Sequence, residues 1–173
     1  MKVIKAPEKY TLKEGEVSVF LGGGITNCPN WQKEIIGYLR GFHHSNKLVV
    51  FNPRRENFPI HDSTAEYEQI HWEFQALEKM DIFSMYFPSG ESDQPICLYE
   101  LGRNLVRMQM RYPIDWKDRI VISVEDGYKR KQDVFIQTQL ACDNLLVNHQ
   151  INNILTHYHA EFIMKACNKL IRQ

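Results

Sequence analysis

The sequence predicts an α/β fold: a three-layer sandwich in which a five-stranded parallel sheet carries helices on both faces. Two observations predict it. Short apolar, β-branched runs of strand length alternate five times with longer segments whose apolar residues recur at helical spacing, all within 173 residues. The short runs are also nearly continuous in apolar character, as strands covered on both faces are, and the segments between them are long enough for helical crossovers.

The elements follow in order. Residues 1–15 are polar and punctuated by Pro7 and Gly15, so they read as an arm ahead of a single domain spanning 16–173. Val17, Val19 and Leu21 mark the first buried strand, which ends in Gly22-Gly23-Gly24. A helix opened by Asn27 or Pro29 follows, with Trp31, Ile35, Ile36 and Leu39 as its apolar stripe and Gly41 closing it. Lys47–Phe51 is the second strand, broken by Asn52-Pro53-Arg54-Arg55 because the residue before a proline is pushed away from helix. From Asp62 or Ser63 a long helix runs to about Met80, its stripe set by Tyr67, Ile70, Phe74 and Leu77 at steps of 3, 4 and 3. Ile82–Phe87 is the third strand. The next helix carries Leu98, Leu101, Leu105 and Met108 towards a sheet, Arg119–Val124 is the fourth strand, and Gln132–Cys142 a helix. Leu145–Val147 is a short fifth strand, and Gln150–Ile171 the closing helix. Five strands of this kind fit the flavodoxin-like order 2-1-3-4-5, in which ligands bind beyond the carboxyl ends of the strands.

Composition narrows the function. Lys plus Arg and Asp plus Glu are 21 each, so the net charge is zero and no diffuse cationic field exists for a nucleic acid polymer or a membrane surface. No stretch approaches the ~18 apolar residues of a membrane span. The four cysteines, Cys28, Cys97, Cys142 and Cys167, form no CxxC pair and have no histidine at zinc-like spacing, which reads as reduced thiols in a cytoplasmic protein. No motif calls for a metal or an organic cofactor.

The topology directs attention to three loops. Gly22-Gly23-Gly24 lets backbone approach a ligand, although a tight strand-to-helix turn would explain it equally; it is neither a dinucleotide fingerprint nor a P-loop. Arg54 and Arg55 could aim a guanidinium at a phosphate or carboxylate, or could be solvated loop charges. Glu100 lies among Leu98, Tyr99, Leu101 and Gly102, and Glu73 between Trp72 and Phe74. Either acid alone is an ordinary helix residue, but two acids converging with an arginine pair at the strand ends point to a reactive cleft.

With these residues assembled, the chain resembles the nucleoside 2-deoxyribosyltransferase family, in particular its branch with an NPRR loop. The likeness rests on VFLGGGI at 19–25 with Trp31 beyond it, FNPRR at 51–55, QIHWEFQALEKMDIF at 69–83 and PICLYELGRN at 95–104. The resemblance implies a flavodoxin-like cytoplasmic enzyme of nucleobase salvage that exchanges the base of 2′-deoxynucleosides through a deoxyribosyl–glutamate ester. Carried over by position, Glu100 is the nucleophile, Glu73 a second catalytic acid, and Asp93 the group handling the proton of the leaving base. Gly22, Gly23, Gly24, Asn52, Arg54, Arg55, Trp72 and Asp81 would bind substrate, with Asp81 ordering the site or capping a helix. Its partners would be a nucleoside or nucleotide, a free nucleobase and further copies of the chain, a neighbour completing the site through the segment near Lys131–Thr138. The arginine pair also admits an N-glycosidase acting on nucleoside 5′-monophosphates. A nucleotide-binding sensor without turnover is the third reading.

Overall fold

The computed structural model describes residues 1–59, 61–143, 145–150 and 154–171. The described chain runs β1 (Lys2–Lys5), β2 (Val17–Gly23), α1 (Trp31–Arg40), β3 (Leu48–Asn52), α2 (Ala65–Lys79), β4 (Ile82–Phe87), α3 (Pro95–Arg111), β5 (Ile120–Glu125), α4 (Lys131–Ala141), β6 (Val147–Gln150) and α5 (Ile154–Ile171). All strand pairs are parallel and the sheet order is β1-β3-β2-β4-β5-β6. Counted from β2, the last five strands have the 2-1-3-4-5 order, and the fold is a flavodoxin-like α/β sandwich.

The sheet has six strands, not five. Lys2–Lys5, expected to belong to the arm, pairs with β3 so that Val3 lies opposite Val50 and Ile4 opposite Phe51. Four residues with a lysine at each end give too short an alternation to stand out from polar surroundings, yet Ile4 is buried. The rest of the segment is held as well. Lys2 Nζ donates to Tyr10 and Glu16, both at 2.5 Å, and Trp72 Nε1 donates to the Glu8 carbonyl at 2.7 Å.

The strands are buried on both faces as their composition requires; every residue of β2, β3 and β4 is inside. Helices α1 and α5 cover one face, where Trp31, Ile35, Leu39 and Ile163 pack on Val19, Leu21 and Val50. Helices α2, α3 and α4 cover the other, where Leu101, Leu105 and Met108 meet Phe83, Met85 and Phe87. Helix α1 starts at Trp31, after the expected opening residues, because the Asn30 side chain caps it by accepting from Lys33 N at 3.2 Å. The strand expected at Leu145–Val147 is Val147–Gln150, so Gln150 closes β6 instead of opening the last helix; residues 151–153 lie outside the described residues.

Helix α2 departs most from expectation. Of its predicted stripe only Leu77 is buried, whereas Tyr67, Ile70 and Phe74 are 73%, 58% and 45% exposed. The helix is rotated so that Ala65, Trp72, Ala76 and Leu77 face inward. This rotation brings Glu73, next to Trp72, to the margin of the core.

Candidate active site

At the carboxyl ends of the strands lies a cleft of about 250 Å³, lined by Gly22, Gly23, Gly24, Ile25 and Thr26 after β2, Pro53 after β3, Glu73 on α2, and the start of α3 with Gln94, Cys97 and Glu100. It opens where β2 sits between β3 and β4, with α1 on one face of the sheet and α2 on the other. A larger hollow of about 590 Å³ lies between Phe162 and Lys165 on α5 and Val121 beside β6, but among the described residues its lining has no facing pair of acids.

The two glutamates come from different helices and share little water. Burial pushes the Glu100 carboxyl up to about 7, with the charge of Glu73 adding to the rise and Arg103 opposing it. Burial likewise raises Glu73, whose Oε1 accepts from Gln69 Nε2 at 2.8 Å; the same nitrogen donates to the Pro53 carbonyl at 2.7 Å. Gln69 therefore ties the second acid to the loop after β3. Cys97, one helical turn before Glu100, is pushed up to about 12 by burial and nearby acids, so at neutral pH it is a thiol and a poor nucleophile. Among the described residues lining the cleft, Glu73 and Glu100 supply the carboxyl oxygens that can become anionic, and both are held above the ordinary glutamate value.

The glycines fit closely. Gly23 has φ +146°, and a Cβ there would lie 2.1 Å from the Tyr86 carbonyl oxygen; a Cβ on Gly24 would lie 2.6 Å from the Gln94 carboxamide. These close approaches let the loop after β2 lie against β4 and the start of α3.

Several residues named from the sequence stand elsewhere. Arg54 does not reach into the cleft: its Nη2 donates to the carbonyls of Gly24, Ile25, Cys28 and Pro29 at 3.4, 3.2, 3.3 and 2.8 Å, and its Nε donates to Gln32 Oε1 at 2.8 Å. Asn52 is buried and accepts from Arg54 N at 3.1 Å, shaping the turn. Arg55 pairs with Glu68 at 3.3 Å and lies over the Phe58 ring. Trp72 is a core residue packed edge-on to Phe51. Asp93 has an exposed side chain outside the cleft lining, and its carbonyl accepts from Tyr128 OH at 2.8 Å. Asp81 precedes β4, at the opposite end of the sheet, where its Oδ2 accepts from Ser18 N and Ser18 Oγ at 2.8 and 2.7 Å.

Residues not singled out in the sequence complete the cleft. Gln94 caps the start of α3 in a left-handed conformation, φ +48°; its Nε2 donates to the Pro88 carbonyl at 2.9 Å, and its buried Oε1 has no partner among the described residues. Its place before Pro95, where helical backbone is disfavoured, was the available signal. Glu125, ending β5, accepts from Tyr86 OH at 2.7 Å and from Ser89 N and Oγ at 2.6 and 2.5 Å, fixing the loop that leads to Gln94. Tyr86 in turn stacks on Trp31, with centroids 4.9 Å apart.

A family model described as nucleoside 2-deoxyribosyltransferase like matches residues 16–126, well over half of the chain and every element that lines the cleft. The chain belongs to this family. No curated protein matches it. As a member of the nucleoside 2-deoxyribosyltransferase-like family it has a site suited to nucleosides or nucleotides and to cleavage or transfer at a glycosidic bond. Helices α4 and α5 and strand β6 lie beyond the matched stretch. No helix among the described residues is long and apolar enough to cross a membrane.

Proposed function

We propose that the protein exchanges the base of 2′-deoxynucleosides through a covalent ester on Glu100. The observation that carries this reading is the pair of desolvated carboxyls, Glu73 and Glu100, raised together in one cleft beside a glycine loop. Two nearby acids that cannot both ionise cheaply hold one proton between them below about pH 7, and the reactive arrangement of that proton leaves Glu100 the anion and Glu73 the acid. The Glu100 carboxylate attacks C1′, and the electron pair of the glycosidic bond leaves on the base nitrogen, which takes a proton from Glu73. A second base then attacks C1′, the ester bond breaks, Glu100 leaves as a carboxylate, and the incoming base gives up its ring proton to Glu73. Two inversions give net retention. Asp93, which the resemblance nominated for the proton, has no place in this sequence because its side chain does not line the cleft.

Nucleosides are favoured over 5′-monophosphates. Among the described residues no lysine or arginine lines the cleft, both Arg54 and Arg55 are engaged by protein groups, and two acids would oppose a phosphate dianion. The single domain, residues 16–173 together with the sheet strand Lys2–Lys5, is proposed as the catalytic unit. The exposed Tyr67, Ile70, Phe74 on α2 and Tyr99, Val106, Met110 on α3 support homo-oligomerisation beside the cleft, which light scattering would test.

The deciding assay incubates the protein with deoxyinosine with and without adenine. Deoxyadenosine plus hypoxanthine is the expected product. Free deoxyribose formed equally without adenine would instead establish a hydrolase, and absence of any product across donor and acceptor pairs would overturn the reading.

A further inference from the structure

Arg54 spends its guanidinium on backbone carbonyls, and the consequence lies on the other side of those peptides. Gly24 O accepts from both Arg54 Nη2 and Trp31 Nε1, the latter at 2.8 Å, and Ile25 O accepts from Arg54 Nη2 and Cys28 N. A trans peptide is planar, with its C=O and N–H pointing in opposite directions. Holding the carbonyls of Gly24 and Ile25 towards Arg54 therefore turns the N–H groups of Ile25 and Thr26 away from it. Residues 24–26 line the cleft, whereas Arg54 and Trp31 do not. Neither amide donates to any group among the described residues.

We propose that the Ile25 and Thr26 amides form a donor pair for an acceptor atom of the nucleobase, a ring nitrogen or carbonyl oxygen, and that Arg54 is the positioning residue that aims them. Two backbone donors at one acceptor stabilise the negative charge that collects on the base as the glycosidic electron pair moves onto it. They act without reorganising, because the carbonyl of each peptide is already anchored. Gln32 keeps the guanidinium in register: it is buried, it lies on the first turn of α1, and its Oε1 accepts from Arg54 Nε. The inference rests on base exchange or base cleavage being the reaction of this cleft.

Lysine at position 54 keeps a cation but cannot span carbonyls with a planar fork. Arg54→Lys is expected to lower kcat about 100-fold with KM changed less than about 5-fold, the size of effect seen when one oriented donor is lost. Adding millimolar guanidinium to Arg54→Ala should restore part of kcat, which a purely structural loss would not allow. A folded Arg54→Lys protein with wild-type kcat, or a loss that tracks only the folded fraction, would overturn the proposal. If the wild-type protein makes no product from any pair, the reading of the reaction fails, and amide NMR decides the donor pair separately. Titration with deoxyadenosine should shift the Ile25 and Thr26 N–H resonances; their remaining fixed at saturating nucleoside would sink the donor pair.

Discussion

Glu73 on α2 and Glu100 on α3 share one cleft, and the charge of the first helps to hold the carboxyl of the second near 7. Helices from separate crossovers thus bring together two acids that lie 27 residues apart in the sequence.

The pH dependence of the rate should report this pair. Because the reaction needs one anion and one proton on the pair, kcat/KM falls with rising pH through an apparent pKa near 7, well above an ordinary glutamate, as the last proton leaves, and the value belongs to the coupled pair. Glu73→Gln leaves no shared proton to lose, so the alkaline limb near 7 should disappear, while the rate falls through loss of the proton carrier. A limb that stays in place would show that Glu73 does not act on Glu100.

Glu100→Gln is expected to abolish turnover and to stabilise the fold in alkaline solution. A carboxyl whose folded pKa is raised contributes its full stability below the unfolded value, here 4.5, and loses it as pH rises through about 7. Each tenfold change in a proton-binding equilibrium is worth about 1.4 kcal/mol, so the variant should exceed wild type by up to about 3 kcal/mol at pH 8 and converge with it at pH 4. Urea midpoints at the two pH values measure the difference.

Asp81→Ala should separate stability from chemistry. The residue accepts two hydrogen bonds from Ser18 and its amide donates to Ser18 Oγ at 3.0 Å, all at the end of the sheet away from the cleft. Loss of these charge-assisted bonds is expected to cost about 2–3 kcal/mol in chemical denaturation, with kcat and KM of the folded protein unchanged. A large change in KM would place Asp81 in the substrate site after all.

His159 should shape the acid side of the stability curve. Its two ring nitrogens lie 2.7 Å from Ser84 Oγ and Ser123 Oγ, and burial pushes it down to about 3. A depressed histidine contributes fully above the ordinary value of 6.5 and loses that contribution as pH falls, because only the unfolded chain takes the proton. His159→Gln should be less stable at pH 8, and its disadvantage should shrink as pH falls from about 6.5 to 5. The opposing trend from Glu100 cancels in this comparison.

The order of strands and the place of the cleft were legible because buried parallel strands announce themselves as apolar runs and the topology then fixes where ligands enter. Glu100 was reachable by the same route. Arg54 was not: a guanidinium beside a strand end suggests a ligand anion, and only the folded chain gathers four carbonyls around it. Trp72 and Tyr67 show a second limit. Helical spacing fits two apolar faces of α2, one holding Tyr67, Ile70 and Phe74 and the other Trp72 and Ala76, and spacing alone does not say which turns inward. The burial of His159 has no local signal in the sequence, since the serines that hold it come from β4 and β5, far away along the chain.

The anchoring of the first eight residues has a practical corollary. Because the Glu8 carbonyl holds the indole next to Glu73, and β1 closes the flank of β3 just before Pro53, the amino-terminal segment is mechanically in series with the paired acids of the cleft. Trimming it would remove the carbonyl that holds the indole and the strand that flanks β3, and so loosen the far wall of the cleft.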